Sequence, residues 1–435
     1  MSGSAHIVRA LRRRDLMGVL ANAMIGAGML AAPSKVFVLA HGWSFAVLAA
    51  AALITTPLIF CFAELGSRFS NTGGPYLYAR AALPGWIAFS VGWMLWISQA
   101  LALATLSNLL VSYLAGFVPV LASGLPRAAT IIGLGLAMTV IVLRGVRESA
   151  ASSNALIVVK AVFVVGFVAA GVWFIQPERL AVVHPPPDPT TLARAVLIYL
   201  FAYSGFERAG VIAGEAKDPR RDVPMALLAS VALVTVAYAT VLLVCVGVLD
   251  DPTLTDRPLA EVGALLFGPV GQVAVSAGAI VVILGTIVSG VLVMPRILLG
   301  LSEQGQLPAF LARVHPRWRT PHIAILISSV AAFGAALMSD LLSSLTFSTA
   351  ARIISYVLCC LALWRLSRRA DAPPPEFPLP APGLFAIAAG AIFVGVLAFA
   401  ATAELPVLAG VLAVGLILYA ISRRTAPSPD PRNSP

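Results

Sequence analysis

Apolar runs of about 18 to 25 residues follow one another along the whole chain, and about 20 helical residues are what a hydrocarbon core of about 30 Å requires. Hydrophobic residues fill 59% of the 435 positions and charged residues only 11%, too few to cover a water-facing surface. A closed β-barrel, the other solution lipid permits, would show short segments of alternating polarity, and these are absent. The sequence therefore predicts an all-α integral membrane protein with about twelve transmembrane helices.

The spans fall at roughly 16–40, 43–65, 86–118, 126–143, 154–174, 192–214, 225–249, 263–296, 322–338, 343–364, 383–402 and 404–421. Counted from an inside start, one set of loops holds Arg12, Arg13, Arg14, Arg144, Lys217, Arg220, Arg221, Arg313 and Arg365 among others. The opposite set holds only Arg127, Arg179 and Arg257. The positive-inside rule then puts both termini in the cytoplasm and the chain in the cytoplasmic (inner) membrane. The expected organisation is a cytoplasmic N-terminal segment (1–15), five helices (16–174), five more (192–364), two additional helices (383–421) and a disordered cytoplasmic tail (422–435).

The formal charge of +10 does not point to nucleic acid, because the arginines are spread over short loops rather than gathered on one patch. Cys61, Cys245, Cys359 and Cys360 all lie in apolar segments and read as small apolar residues, with no metal or disulfide spacing. The histidines, His6, His41, His184, His315 and His322, are scattered over both sides. That argues against metal, cofactor or catalytic residues and so against a membrane enzyme. No soluble domain is appended, which disfavours a receptor, although a channel or transport-like sensor stays open.

Two spans are built differently. In the first, NAMIGAGMLAAP places Gly26, Ala27 and Gly28 mid-run, where glycine costs a helix about 1 kcal/mol relative to alanine. In the sixth, FAYSGFERAG sets Ser204, Gly205, Phe206 and Glu207 at the corresponding depth. Either motif alone could simply permit close helix packing. Paired interruptions five spans apart, in halves of opposite orientation, instead point to a transporter's central site. Broken helix ends expose N–H groups that suit a carboxylate and C=O groups that suit an ammonium. An amino acid carries both.

The chain also resembles the amino acid-polyamine-organocation (APC) superfamily. The likeness runs through the GAG motif, AELGSRFSNTGGPYLYA at 63–79, GVRESAASSNALIVVK at 145–160, SGFERAGVIAGEAKDPRRDVPMAL at 204–227 and PRILLGLSEQGQLPAFLARVHPRWRTP at 295–321. The resemblance implies the leucine-transporter fold, a five-plus-five inverted repeat with discontinuous helices 1 and 6. Its departures are Ala27, where a serine or threonine is common, SEQG at 302–305 in place of a more usual Arg-Asp-Gly, and Arg352, which has no counterpart.

The expected substrate site comprises Ile25, Gly26, Ala27 and Gly28 toward the carboxylate, with Phe201, Ala202, Tyr203, Ser204, Gly205 and Phe206 around the amine. Lys160, about 9 Å into the fifth span from Asn154, matches a lysine that stands in some family members where sodium-coupled relatives bind their ion. The resemblance thus implies proton coupling. Desolvation disfavours a lysine's charged form, so a lysine that wets and dries can gain and lose a proton; as an alternative it snorkels inward as an anchor. Glu207 could bind a cationic group, carry the proton or hydrogen-bond the helix ends. Thr286 and Ser289 could line the cavity or face Lys160, and Trp93, Trp96 and Gln99 could line it from the third span. Lys35 reads as snorkelling outward or as matching a lysine of some antiporters, Glu64 and Arg68 as charges closing the second span, and Arg352 as half of an ion pair or a screen against cations. The expected activity is secondary active transport of an amino acid or amine by alternating access, as proton symport, exchange or export, by a monomer or homodimer whose partners are the substrate, protons and the bilayer.

Overall fold

The computed structural model describes residues 12–69, 73–145, 150–182, 185–211 and 213–425. In chain order its helices are α1 (Arg13–Met24), α2 (Ala27–Ala40), α3 (Ser44–Arg68), α4 (Gly74–Ala82), α5 (Gly85–Ala115), α6 (Gly124–Leu143), α7 (Ala150–Gly171) and α8 (Pro189–Tyr203). There follow α9 (Arg208–Val211), α10 (Pro219–Val248), α11 (Pro258–Glu303), α12 (His322–Met338), α13 (Leu341–Leu366), α14 (Pro382–Ala400) and α15 (Leu405–Thr425). Prolines at their first positions start α8, α10, α11 and α14, where the missing N–H costs no hydrogen bond. Asp188 and Asp340 cap α8 and α13 by accepting backbone N–H groups. No strand pairs with another among the described residues.

Nine helical stretches of the described residues are long and apolar enough to cross a membrane, and α12 is a shorter apolar helix. The chain is thus a multi-pass membrane protein. The count falls short of the expected twelve for a local reason. The first expected span is divided between α1, of 12 residues, and α2, of 14, and the sixth between α8 and the four-residue α9. Conversely, α2 and α3 follow so closely that they form one stretch, Ala27–Arg68. Within α11 the axis bends at Phe267 and Gly268, which leave helical geometry just before Pro269.

Polarity is turned outside in. On α6 and α7 the exposed positions include Leu136, Val140, Val158, Val162 and Val165, while Lys160 is 1% exposed. Apolar exposure on this scale suits lipid rather than water. The most deeply enclosed helix is α5, which packs against α11, α12 and α13, whereas α6 and α15 keep mostly exposed apolar faces. Reciprocal serine bonds join α5 to α13: Ser98 donates to the Ser348 carbonyl at 2.9 Å and Ser348 to the Ser98 carbonyl at 2.8 Å.

The two divided spans lie against each other, α2 on α8 and α1 on α9. Gly28 makes the first contact possible, since a Cβ there would stand 2.4 Å from Cα of Ala202. Side-chain ties hold the ends. Lys35 pairs with Asp256, and Arg13 with Asp222 at 3.1 Å. Glu64 and Arg68, which close the second expected span and suggested packing or loop anchoring, are buried against each other and fasten the 367–381 connection: Glu64 accepts the Leu379 N–H at 3.1 Å and Arg68 donates to the Pro373 carbonyl at 2.8 Å.

Candidate functional site

The first interruption leaves helix ends that need partners. The last turn of α1 closes with the Ile25 N–H on the Ala21 carbonyl, and Ile25 is extended. Nζ of Lys160 on α7 donates to the carbonyls of Asn22 and Ile25 at 2.8 and 2.7 Å, and to Oγ1 of Thr286 on α11 at 2.8 Å. An ammonium's three hydrogens match these three acceptors, and its charge sits at the negative end of α1. The hydroxyl of Tyr238 on α10 reaches the Met24 and Ala202 carbonyls, each at 2.7 Å. With one proton it serves one of them at a time, and so joins both interruptions. The first turn of α2 then begins at Gly26 with its leading N–H groups outside the helical ladder.

The second interruption is stitched by side chains. Ser204 is extended, and Gly205 has φ of 115°, a conformation an L side chain rarely adopts. The Gly205 N–H donates to Oε2 of Glu207 at 2.9 Å, and the Tyr356 hydroxyl on α13 donates to the same oxygen at 2.9 Å. Oε1 of Glu207 lies 3.6 Å from the Arg352 guanidinium. Nε of Arg352 donates to Oγ of Ser98 at 2.9 Å, and a terminal nitrogen to Oε1 of Gln99 at 3.4 Å. A carboxylate and a guanidinium thus share a low-dielectric site with hydrogen bonds to both, the condition under which a buried pair persists. Its members come from α5, α13 and the loop before α9.

Between the interruptions lies a cavity of about 40 Å³. Ala23, Met24, Gly26, Ala27 and Gly28 form one wall, and Phe201, Ser204, Gly205 and Arg208 the facing one. Gln99 and Leu103 of α5, Thr286 and Gly290 of α11, and Arg352 close it. The volume holds a few waters at most, so a larger molecule can enter only if the surrounding helices part.

The structure brings Gly26, Ala27, Gly28, Gln99, Phe201, Ser204, Gly205 and Thr286 together around this space and sets most of the other expected residues apart. Ile25 is turned toward Lys160 through its carbonyl, and Ala202 packs on Gly28. Tyr203 and Phe206 line a neighbouring, smaller cavity with Thr55, Tyr356, Phe393 and Arg352, and the Tyr203 hydroxyl donates to Oγ1 of Thr235 at 2.9 Å. Lys160 and Glu207 stand just behind the walls; Ser289 is buried on α11 beyond Thr286.

Two of the carbonyls expected to meet an amine already have partners. The Phe201 carbonyl accepts the Ser204 N–H and hydroxyl, at 3.0 and 2.6 Å, and that of Ala202 accepts from Tyr238. Gln99 lines the cavity as expected of the third span, but Trp93 and Trp96 do not: their N–H groups reach the Val411 carbonyl and Ser328 on other helices. Arg208, Tyr238 and Tyr356 were not anticipated. Tyr356 lies four residues after Arg352 on one helix face, a spacing that carried a signal; nothing local marks Tyr238. Among the described residues no group of three or more His, Cys, Asp or Glu side chains could hold a metal ion.

The amino acid permease family matches this chain over residues 12–421. The chain belongs to that family. The likeness to the APC superfamily carried by the five sequence motifs is thereby borne out. Individual permeases show the same relation. A methylthioribose transporter of Bacillus subtilis is 29% identical over 355 residues, 77% of this chain and 76% of the relative. A polyamine transporter of Oryza sativa subsp. japonica is 30% identical over 370 residues, covering 82% and 67%. A serine/threonine exchanger of Bacillus subtilis is 26% identical over 366 residues, covering 82% and 83%.

Proposed function

We propose that this permease is a secondary active transporter that moves an amino acid or related amine across the cytoplasmic membrane by alternating access, driven by protons through Lys160. The observation that carries this reading is the Lys160 ammonium, buried between α7 and α11 and bound to two carbonyls at the broken end of α1. Losing its proton removes a charge and a donor from that end. The hold of α7 and α11 on α1 then weakens, and α1 is a wall of the cavity. Protonation restores the hold, so substrate movement and proton movement share one element.

Twelve spans in a five-plus-five inverted arrangement, with both termini cytoplasmic, accommodate the same facts. On this reading α1 with α2 counts as the first span and α8 with α9 as the sixth. The substrate carboxylate lies at the leading N–H groups of α2, near Gly26, Ala27 and Gly28. Phe201, Ser204 and Gly205 face its amine side, with Tyr203, Phe206 and Glu207 as support behind. Family membership favours transport over a channel or an enzyme.

The test is uptake of radiolabelled amino acids and amines into proteoliposomes, with an imposed inward proton gradient, with the gradient collapsed, and with unlabelled compound preloaded. Accumulation that needs the gradient and is lost in Lys160→Ala is the expected result. Uptake that needs a preloaded counter-substrate and survives Lys160→Ala would make the protein an exchanger, as one relative is named, with Lys160 as a helix clamp.

A further inference from the structure

Relatives of similar identity are named for methylthioribose, polyamines and hydroxylated amino acids, so the substrate must be read from the cavity. We propose that, within the transport reading above, this cavity selects an amino acid with a second negative charge, aspartate or glutamate, and that Arg352 is the specificity-determining residue that receives the side-chain carboxylate.

Two of the residues lining the cavity, Arg208 and Arg352, carry guanidinium groups, and none of the lining residues is acidic. The leading N–H groups of α2 open on the same space and add positive potential. Glu207, the nearest carboxylate on the second interruption, does not line the cavity. Its Oε2 is committed to the Gly205 N–H and the Tyr356 hydroxyl.

Arg352 is built as a receptor rather than as a counter-charge alone. Its side chain is 5% exposed. Of its five N–H donors, two are hydrogen-bonded, to Ser98 and Gln99, and the contact with Glu207 at 3.6 Å is too long for a direct hydrogen bond. Among the described residues the remaining donors have no hydrogen-bond partner, although the group is buried and lines the cavity. A planar fork held by α5 and short of acceptors matches a carboxylate in two-point geometry. A lysine or polyamine ammonium would instead meet the Arg352 guanidinium in a water-poor space, with no carboxylate among the lining residues to attract it. The α-carboxylate then lies at the start of α2 and the side-chain carboxylate at Arg352, both on the lining of one cavity.

The experiment compares purified wild-type protein with Arg352→Gln and Arg352→Lys, using L-glutamate, L-aspartate, L-glutamine, L-lysine and putrescine as probes. The readouts are thermal stabilisation in detergent and competition with uptake in proteoliposomes. In the wild type, L-glutamate or L-aspartate should stabilise and compete, and L-lysine and putrescine should not. Arg352→Gln should weaken the acidic amino acid about 10- to 100-fold, the scale of hydrogen bonds to a charged group, and shift preference toward L-glutamine. Arg352→Lys should restore part of the loss. The wild-type preference for L-glutamate over L-glutamine is a test in itself if the variants do not fold. If the wild type moves L-glutamine, L-lysine or putrescine while the acidic amino acids neither bind nor compete, the assignment of Arg352 falls and the transport reading stands. If none of the panel in either experiment is bound or moved, the transport reading falls and takes this assignment with it.

Discussion

The two helix interruptions at the centre of this permease answer the same difficulty in opposite ways. At the first, between Met24 and Ala27, the freed carbonyls are taken by side chains from distant helices, Lys160 and Tyr238, and the leading N–H groups of α2 are left to the cavity. At the second, between Tyr203 and Arg208, the segment turns on itself: Glu207 takes the Gly205 N–H, and Ser204 caps the Phe201 carbonyl. Glu207 is then locked by Tyr356 and Arg352. Both breaks satisfy most of their backbone, as a membrane interior requires. The first keeps donors in reserve and is held by side chains from other helices, Lys160 foremost; on the proposed reading it is where ligand and proton would meet. The second is fixed by a charge pair.

Six substitutions bear on this contrast. Glu207→Gln should be the most damaging, because it strands the Arg352 charge in a buried site; a loss of about 3–5 kcal/mol is the usual scale. The double variant Glu207→Gln/Arg352→Gln should recover part of it in thermal denaturation, and a double variant no better than the single one would dissolve the pair that sets the second break apart. Gly28→Ala should come next, at about 1–3 kcal/mol by overpacking, since its Cβ would press on the Ala202 backbone. Gly26→Ala meets the Thr286 side chain, its methyl at 3.3 Å and Oγ1 at 3.6 Å, and should be milder; equal effects on stability and uptake would remove the asymmetry between the two glycines.

Tyr238→Phe should cost about 1 kcal/mol, one hydrogen bond shared between two carbonyls. It should also loosen both breaks together, visible as faster amide exchange around Ile25 and Ser204. Exchange altered at one break alone would make Tyr238 a partner of that break only. The smallest effect belongs to Asp188, at the start of α8. Hydrogen bonds from the Thr191 hydroxyl and N–H hold its carboxyl below the usual carboxylate range. A depressed value in the folded state means the contribution is present above about pH 4, the unfolded value, and is lost as pH falls through the folded one. The melting-temperature gap between wild type and Asp188→Asn should therefore be open at pH 7 and close in acid, while a gap independent of pH would mean that the charge contributes nothing to holding α8.

Much of this molecule was legible in one dimension. Apolar runs of membrane length, glycines at Gly26, Gly28 and Gly205 inside two of them, and a lysine in the middle of a third are properties of short stretches, and depth in a bilayer is decided stretch by stretch through transfer of each side chain. That is why the all-helical membrane architecture, the positions of both breaks and the singular character of Lys160 could be stated before any contact was known. Partnership could not. Glu207 meets Tyr356 across 149 residues of chain, Arg352 meets Ser98 across 254, and Tyr238 meets Met24 across 214. Which face of each helix turns inward depends on how α5, α10 and α13 pack around the divided spans, not on their own sequence. The apolar pattern on these helices runs nearly all round, so it leaves rotation about the helix axis undetermined. Only the assembled bundle could move Tyr203 and Phe206 behind the wall, bring Arg352 to the cavity and leave the start of α2 open to it.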